Sequence, residues 1–351
     1  MGICGRIIYV VKGCDKVLAL SKDIGIDLGT ANVLIYIKGE GIVLNEPSIV
    51  AIDQENKKVI AVGKEASEMF GRTPERVKAI KPMKDGVIAD FEVTEIMLNT
   101  FIKKIKGRTL FTRPRILICC PSNITQVEKN AIKEAAERTG ARRVYLEEEP
   151  KVAAIGAGMD ISKPTANMVI DIGGGTTDIA ILSMNDMVTS SSIRVAGNLF
   201  DQDIIKYIKD RYKLLIGEKT AEDIKINFAN VYNPDKKQEL EIRGRNLLTG
   251  LPHTIVMTQD ETKEALKESI NKIVKSCTNV LEQTPPELSA DIVDRGIVLT
   301  GGGALLTGLT DLLSEELQVP VLIADSPLTC VAEGTGALLT NNIKLLEEDN
   351  N

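Results

Sequence analysis

The 351-residue chain has no tryptophan and few other aromatic residues, with six phenylalanines and six tyrosines. So few aromatic rings leave little material for the platforms on which nucleic-acid bases stack. The formal net charge of −6 also lacks the basic excess that a nucleic-acid-binding domain normally shows. The composition therefore argues against a nucleic-acid partner.

Clustered metal ligands and long apolar runs are missing as well. The one histidine is His253, and no two of the six cysteines form a C-x-x-C pair, so the ligand set of a zinc site is absent. We expect reduced, mostly buried thiols, with Cys119 and Cys120 packing in a strand. No apolar run reaches the ~18–20 residues that a membrane-spanning helix needs. The N-terminal segment is not typical of a signal peptide, because Lys12 and Asp15 interrupt its short apolar stretch.

What the sequence does contain is a glycine-rich hairpin in residues 167–182, NMVIDIGGGTTDIAIL. Two apolar runs flank Gly173, Gly174 and Gly175, a pattern typical of two short strands joined by a turn. Glycines let the backbone approach a ligand closely, so successive N–H groups can converge on a phosphate. Asp171, at the end of the first run, offers the oxygen ligands that Mg²⁺ prefers. Taken alone, such a hairpin is as often a plain turn.

A second copy of this layout changes the interpretation. Residues 24–37, IGIDLGTANVLIYI, repeat the apolar run, the aspartate (Asp27), Gly29 and Thr30, and then the next apolar run. Asp27 and Asp171 are 171 − 27 = 144 positions apart, about the length of one domain. Self-similarity at this spacing indicates a duplication. Two such hairpins, one in each half, would hold a nucleotide between them.

The motifs resemble those of a known ATPase superfamily. DLGTAN (27–32), DIGGGTTD (171–178) and LTGGGALLTGL (299–309) are similar to the phosphate-1, phosphate-2 and adenosine motifs of the actin, sugar-kinase and heat-shock-chaperone superfamily. Within it, GIDLGTAN, NEPSIVAID, IKPMKDGVIADF, EEP and DRGIVLTGGGALLTGL resemble the MreB/Mbl family of bacterial actins. The resemblance runs from about residue 23 to the C-terminus.

This resemblance implies a fold and a division of the chain. The fold class is α/β, a duplicated actin-like (ribonuclease H-like) ATPase fold of two halves. Each half carries a small inserted subdomain, and the nucleotide binds in the central cleft. After an N-terminal extension (1–22), the expected subdomains are IA (23–52, 84–162 and 336–351), IB (53–83), IIA (163–199 and 260–335) and IIB (200–259).

ATP and Mg²⁺ are the ligands that the resemblance implies. Asp27 and Asp171 would hold the ion, mostly through water, because Mg²⁺ dehydrates reluctantly. The implied nucleotide-binding residues, besides these two, are Gly29, Thr30, Ala31, Asn32, Gly173, Gly174, Gly175, Thr176, Thr177, Gly197, Glu222, Lys225, Gly301, Gly302, Gly303 and Ala304. Glu222 and Lys225 could instead be ordinary charged residues of a helix surface. A P-loop at residues 301–308 is excluded, since no Lys-Ser/Thr follows the glycines.

Hydrolysis requires a water in line with the γ-phosphate. By resemblance to the family's EEP motif, Glu149 would orient this water and the hydroxyl of Thr176 would assist. The competing interpretation is that Glu147, Glu148 and Glu149 are acids favoured at a helix N-terminus. Only one of three adjacent acids can face the phosphate, and we predict Glu149. We expect slow hydrolysis coupled to assembly.

Local signals predict several other elements. Thr125 and Glu128 form a capping box for a helix that Gly140 ends, which gives Glu128 a structural role. The stretch NEPS (45–48) predicts a turn. Further helices are predicted at 64–70, 94–106, 201–215, 220–230 and 260–283, with another that includes 306–316.

Two segments are candidates for membrane contact. Leu110 and Phe111 form an apolar pair within a basic segment, whose charged members are Lys103, Lys104, Lys106, Arg108, Arg113 and Arg115. This combination suits shallow insertion into an anionic surface, although Phe111 could instead enter the core of the next strand. Residues 1–22 allow an in-plane amphipathic helix, a frayed tail or a short extra strand.

The resemblance implies a cytoplasmic, membrane-associated bacterial filament. ATP would close the two halves, and subunits would add head to tail in paired protofilaments. On the inner face of the cell membrane these filaments would work with the cell-wall elongation machinery and maintain rod shape. The alternatives are a plasmid-segregating actin-like filament and a sugar or acetate kinase, which needs an acceptor pocket that no motif indicates. A chaperone would need a further, peptide-binding domain.

Overall fold

The computed structural model describes residues 23–106, 113–122 and 124–341. Residues 1–22 and the pair Leu110 and Phe111, both candidates for membrane contact, lie outside these ranges. Within the described ranges, no helix is both long and apolar enough to cross a membrane. The four cysteines found there are all buried and free, which confirms packing roles for Cys119 and Cys120.

The first half is organised around one large sheet. Its described elements are β1 (Ile24–Leu28), β2 (Asn32–Ile37), β3 (Gly41–Pro47), β4 (Val50–Asp53), β5 (Val59–Val62), α1 (Lys64–Met69), β6 (Val77–Ile80), β7 (Met83–Lys84), β8 (Val87–Ile88), α2 (Phe91–Lys106), β9 (Arg115–Cys120), α3 (Gln126–Arg138), β10 (Arg143–Glu148) and α4 (Glu149–Gly156). The large sheet has the order β10-β9-β1-β2-β3. Strands β5-β4-β6 form a separate three-stranded sheet, called here the first small sheet.

The second half repeats this plan. Its elements are β11 (Asn167–Ile172), β12 (Thr177–Ser183), β13 (Asp186–Ile193), α5 (Gly197–Tyr212), β14 (Leu214–Leu215), α6 (Glu218–Asn227), β15 (Glu239–Asn246), β16 (Pro252–Thr258), α7 (Gln259–Glu282), α8 (Pro286–Arg295), β17 (Ile297–Thr300), a 3₁₀ turn (Gly302–Leu305), α9 (Leu309–Leu317), β18 (Val321–Ile323) and α10 (Cys330–Asn341). The large sheet has the order β13-β12-β11-β17-β18. Strands β14-β15-β16 form the second small sheet.

The two large sheets have the same topology. In each, the first strand (β1 or β11) pairs with an antiparallel hairpin partner on one side and a parallel strand on the other. Asp27 lies opposite Leu34, and Asp171 lies opposite Asp178. Asp27 and Asp171 are 144 positions apart, and so are their partners Leu34 and Asp178, because 178 − 34 = 144. The duplication predicted from sequence is therefore present down to the residue register.

A shared apolar cluster joins the halves. It contains Leu117 from β9, Val169 from β11 and Leu338 from α10, so the last helix returns to pack against the first half. Helices α4 and α10 approach so closely that a Cβ atom on Gly156 would lie 1.8 Å from the carbonyl oxygen of Cys330. Only glycine fits at such a crossing, and the contact fixes α10 against α4.

The capping box is confirmed. Helix α3 begins after Thr125, whose hydroxyl accepts from the Glu128 N–H at 3.3 Å, while a Glu128 carboxylate oxygen accepts from the Thr125 N–H at 2.7 Å. Hydrogen bonds from the Thr125 hydroxyl and N–H lower the pKa of Glu128. This residue therefore has the predicted structural role.

The predicted turn at residues 45–48 is wrong. Residues 45–47 continue β3, which is an edge strand of the large sheet, where the missing N–H of Pro47 is tolerated.

Several helix boundaries also differ from prediction. The helix predicted at 201–215 spans Gly197–Tyr212, because Lys213 is in the left-handed conformation and Leu214–Leu215 join the second small sheet. The helix predicted at 220–230 spans Glu218–Asn227. Helix α2 begins at Phe91, three residues early, because a carboxylate oxygen of Asp90 accepts from the Val93 N–H at 3.1 Å. Helix α8 was not predicted, since Pro286 indicates a stop but also suits the first turn of a helix.

Candidate functional site

The first glycine-containing turn, residues 29–31, connects β1 to β2 and is fixed by its own half. The hydroxyl of Ser48 donates to the carbonyl oxygen of Gly29 at 2.6 Å, and its N–H donates to that of Ala31 at 2.9 Å. Thr30 is buried and accepts from the Gly86 N–H at 3.1 Å. Asn32, the next predicted site residue, is exposed as the first residue of β2. The turn is thus held in one conformation from both sides.

The second turn, residues 173–176, connects β11 to β12. The Gly173 N–H donates to the carbonyl oxygen of Thr176 at 2.9 Å and closes the turn. The N–H groups of Gly197 and Asn198, at the start of α5, donate to the carbonyl oxygens of Gly173 (3.2 Å) and Gly174 (2.8 Å). The N-terminus of this 16-residue helix therefore lies against the turn. Its partial positive charge favours an anion there.

The two turns touch each other. A Cβ atom on Gly174 would lie 2.7 Å from the Cβ of Ala31, and one on Gly175 would lie 2.5 Å from the Thr30 hydroxyl and 3.0 Å from the Cα of Asp85. Larger residues would force the halves apart. The structure thus brings both predicted phosphate-binding turns to one place, at the junction of the two sheets.

Buried carboxylates gather beside these turns. Asp171 accepts a 2.6 Å hydrogen bond from the Thr300 hydroxyl, and burial raises the pKa of Asp171 to about 6. Asp27 keeps some accessible surface, yet burial and then repulsion from Asp171 raise its pKa to about 7. Burial, followed by the charges of Asp178, Asp27 and Asp171, raises the pKa of Glu149 well above its ordinary value. Such a concentration of desolvated negative charge favours a bound cation.

The three adjacent acids of the EEP stretch have different surroundings. Glu147 pairs with Lys151, one turn later in α4, at 3.3 Å, and Glu148 lies 3.7 Å from Lys129. Glu149 is 8% exposed and lies within electrostatic range of the aspartates. A helix-dipole role alone explains an acid at this helix N-terminus, but it does not explain why Glu149 is buried within range of three aspartates, Asp178, Asp27 and Asp171.

Asp178 is a site residue that sequence reasoning did not nominate. It is fully buried, and one carboxylate oxygen accepts from the Ser122 N–H of the other half at 3.3 Å. Hydrogen bonds from Ser192, Ser122 and Thr176 oppose the rise in its pKa that burial causes. The sequence could have indicated Asp178, because a hairpin with this turn places it directly opposite Asp171.

Thr176 and Thr177 differ in role. Thr176 is buried in the turn and hydrogen bonds to Asp178, so its hydroxyl belongs to the acidic cluster. Thr177 donates to the carbonyl oxygen of Val195 at 2.6 Å, inside the second half. Its hydroxyl thereby ties β12 to the segment that leads into α5.

Helix α6 packs against the start of α5 in the second half. Lys225 is not a solvated surface residue: its ammonium donates to the carbonyl oxygen of Gly197 at 3.0 Å and pairs with Asp201 at 2.9 Å. Burial, opposed by Lys225, raises the pKa of Asp201 to about 6. Glu222 lies on the same helix and is exposed. Asp201 was not predicted, since nothing local marks a partner 24 residues away.

The third motif, residues 301–304, packs directly against β11. A Cβ atom on Gly301 would lie 2.4 Å from the carbonyl oxygen of Ile172, and one on Gly303 would lie 2.2 Å from its side chain. The Gly301 N–H donates to the carbonyl oxygen of Pro327 at 2.8 Å. Residues 302–305 form a 3₁₀ turn in which Ala304 is buried. The following helix begins at Leu309, three residues later than the predicted start at 306.

The acidic cluster does not form a site of direct protein ligands for a metal ion. In the described parts of the chain, no three His, Cys, Asp or Glu side chains are grouped so that they could hold a metal ion. A pair of carboxylates can still hold Mg²⁺ through its water shell, because this ion keeps several waters.

Comparison with solved structures defines the class of protein. The fold matches a crystal structure of MreB5 of Spiroplasma citri bound to ADP, with a TM-score of 0.88 and 40% identity over 94% of this chain and 99% of that one. It also matches the subunit of a MamK double helical filament, with a TM-score of 0.77 over 91% of this chain and 98% of that one. At 22% identity the second match shows the fold alone. The protein therefore has the predicted duplicated actin-like fold.

Sequence comparison narrows the class to a family. The family model for MreB/Mbl protein matches residues 21–347. The cell shape-determining protein Mbl of Bacillus subtilis is 64% identical over 93% of this chain and 98% of its own length. The cell shape-determining protein MreB of Escherichia coli is 54% identical over 91% of this chain and 93% of its own. The chain belongs to the MreB/Mbl family, as the sequence motifs predict.

Proposed function

We propose that this protein is an ATP-driven cytoskeletal filament subunit that binds Mg²⁺–ATP between its two halves. The observation that carries the proposal is the contact of the two glycine turns, residues 29–31 and 173–176, beside a cluster of buried carboxylates. Structures of the related MreB5 are bound to ADP and to AMPPNP, which supports nucleotide binding by this chain. The relatives named cell shape-determining proteins support the cytoskeletal role.

The metal site fits this proposal. Burial raises the pKa values of Asp27 and Asp171 to about 7 and about 6, with a further rise from the charge of Asp171 on Asp27 and from that of Asp178 on Asp171. A divalent cation beside them would remove this cost, and oxygen ligands suit Mg²⁺. When bound, the ion would neutralise charge on the phosphates. The two carboxylates would hold it mainly through water.

Hydrolysis is assigned to Glu149 and Thr176. The carboxyl of Glu149 is buried within the acidic cluster, where its oxygens can orient a water for attack. The hydroxyl of Thr176 belongs to the same cluster and can assist in holding this water. Positioning of this kind, without a dedicated strong base, gives slow turnover.

Filament formation follows from heterologous contacts between identical subunits. Head-to-tail contacts whose rotation does not close produce an open chain, and closure of the cleft by ATP would set the geometry of the next contact. Paired protofilaments on the inner face of the cell membrane would then organise cell-wall synthesis through the elongation machinery and maintain rod shape. Linking many subunits makes weak membrane contacts strong.

The function is tested by measuring phosphate release from Mg²⁺–ATP with no added acceptor, together with light scattering. We expect scattering to rise above a critical protein concentration, and phosphate release to rise with it, because hydrolysis is coupled to assembly. A sugar or acetate kinase would instead release or transfer phosphate only when its acceptor is present. Turnover that is independent of protein concentration, with no scattering, would overturn the filament proposal.

The membrane contact is assigned to Leu110 and Phe111, since an apolar pair in a basic segment suits an anionic lipid surface. We expect the double variant Leu110→Ser/Phe111→Ser to lose most sedimentation with anionic liposomes while keeping its ATP-dependent light scattering. The variant Leu248→Ser, at a leucine that is 81% exposed in the second half, is the matched control and should sediment normally. Full sedimentation of the double variant would refute the assignment.

A further inference from the structure

An ion pair joins the end of the first small sheet to helix α6 of the other half. Lys81, directly after β6 of the first small sheet, places its ammonium 2.9 Å from a carboxylate oxygen of Glu218, the first residue of α6. The partners are 137 residues apart in sequence and belong to different halves. Their side chains are 33% and 53% exposed, so this contact lies at the surface and can break without leaving a buried charge.

The position of this pair along α6 connects it to the second glycine turn. Glu218, Glu222 and Lys225 are spaced by four and three residues, so they share one face of the helix. Lys225, about 10 Å from Glu218 along the helix axis, contacts Gly197 at the start of α5, next to the second glycine turn. The face of α6 that carries the ion pair therefore also reaches the proposed phosphate site.

Lys81 is oriented for this contact by its own half. Its ammonium lies over the ring of Phe70, 5.0 Å from the ring centroid, and Phe70 packs against the core of the first small sheet. Pro82 follows Lys81 and restricts its backbone to an extended conformation. These contacts already restrict the rotamers of Lys81, so little side-chain entropy is lost when it pairs with Glu218.

We propose that the Lys81–Glu218 ion pair is a latch across the mouth of the cleft that slows nucleotide release. This inference rests on the proposed function, since it assigns a regulatory role at the same site. A nucleotide bound between the two glycine turns can leave only when the first small sheet and helix α6 move apart. The ion pair must break when they do. An exposed ion pair of this kind changes an equilibrium or a rate by about two- to fivefold.

The test is a double-mutant cycle on the release rate of fluorescently labelled ATP, chased with unlabelled ATP at a protein concentration below that of assembly. Lys81→Met and Glu218→Gln should each speed release about two- to fivefold, and the double variant should match either single variant, because one interaction is lost in all three. Raising the salt from about 0.05 M to about 0.5 M should speed release from the wild-type protein but not from Lys81→Met.

The control is Glu134→Gln, which removes the carboxylate of another exposed ion pair, with Arg138 on α3 at 2.6 Å, and should leave the release rate unchanged. Release at the wild-type rate in all three variants would overturn the latch, as would additive effects in the double variant. An effect of Lys81→Met without one of Glu218→Gln would also overturn it, since Lys81 would then contact the nucleotide itself. If the wild-type protein binds no labelled ATP, the proposed function fails instead.

Discussion

Replacing Glu149 by glutamine should lower the rate of phosphate release about 100-fold or more while leaving the affinity for ATP within about threefold. The glutamine keeps the size of the side chain but loses the charged oxygens that orient the attacking water, and misplacement of a reacting group typically costs about 100-fold in rate. Because Glu149 is buried within the acidic cluster, removal of its charge should not unfold the protein.

Two neighbouring residues provide matched controls. Glu147→Gln and Glu148→Gln each remove one carboxylate from the same stretch, but Glu147 pairs with Lys151 and Glu148 with Lys129. Both variants should keep phosphate release within about threefold of the wild-type rate, because neither acid is assigned to the attacking water. Wild-type turnover in Glu149→Gln, or an equal loss in all three variants, would contradict the assignment of the water-orienting role.

Replacing Asp171 by asparagine should weaken the Mg²⁺-dependent binding of ATP by about 10- to 100-fold, as expected when a group that orients metal-bound water is lost. The same change should raise the thermal stability of the ligand-free protein. A carboxyl whose pKa is raised to about 6 by burial destabilises the folded state when it is ionised, and asparagine carries no charge. Loss of binding together with a gain in stability separates a functional carboxylate from a structural one.

The pH dependence of stability provides a second measurement on the same residue. In the folded protein the pKa values of Asp171 and Asp27 are raised to about 6 and about 7, so between about pH 4 and pH 7 the folded chain binds more protons than the unfolded chain. The free energy of unfolding of the ligand-free protein should therefore fall as the pH rises from about 5 to about 8. Asp171→Asn should flatten this dependence, whereas the exposed control Asp294→Asn should not. A wild-type slope in Asp171→Asn would contradict the account.

Local sequence patterns predicted the parts of the site that lie on single hairpins. The two glycine turns and the aspartates before them were predicted because the flanking apolar runs, the glycines and the acid are adjacent in sequence. The capping box at Thr125 was predicted for the same reason, since its two partners are three residues apart. The duplication needed only the comparison of Asp27 with Asp171. Where the signal is local or repeated, the sequence is sufficient.

The contacts between elements could not be predicted in this way. Lys225 and Asp201 belong to different helices, and Lys81 and Glu218 to different halves. No periodicity relates such partners, because their proximity depends on how the sheets and helices pack. Asp178 was missed although it lies in the best-recognised motif, since the pattern predicts a strand residue and not its full burial.

The central claim is that a single nucleotide lies between the two glycine turns. A structure of the protein with Mg²⁺ and AMPPNP tests this most directly. We predict triphosphate density between residues 29–32 and 173–177, with the ion beside Asp27 and Asp171. Nucleotide density elsewhere in the molecule, with these turns still packed only against each other, would contradict it.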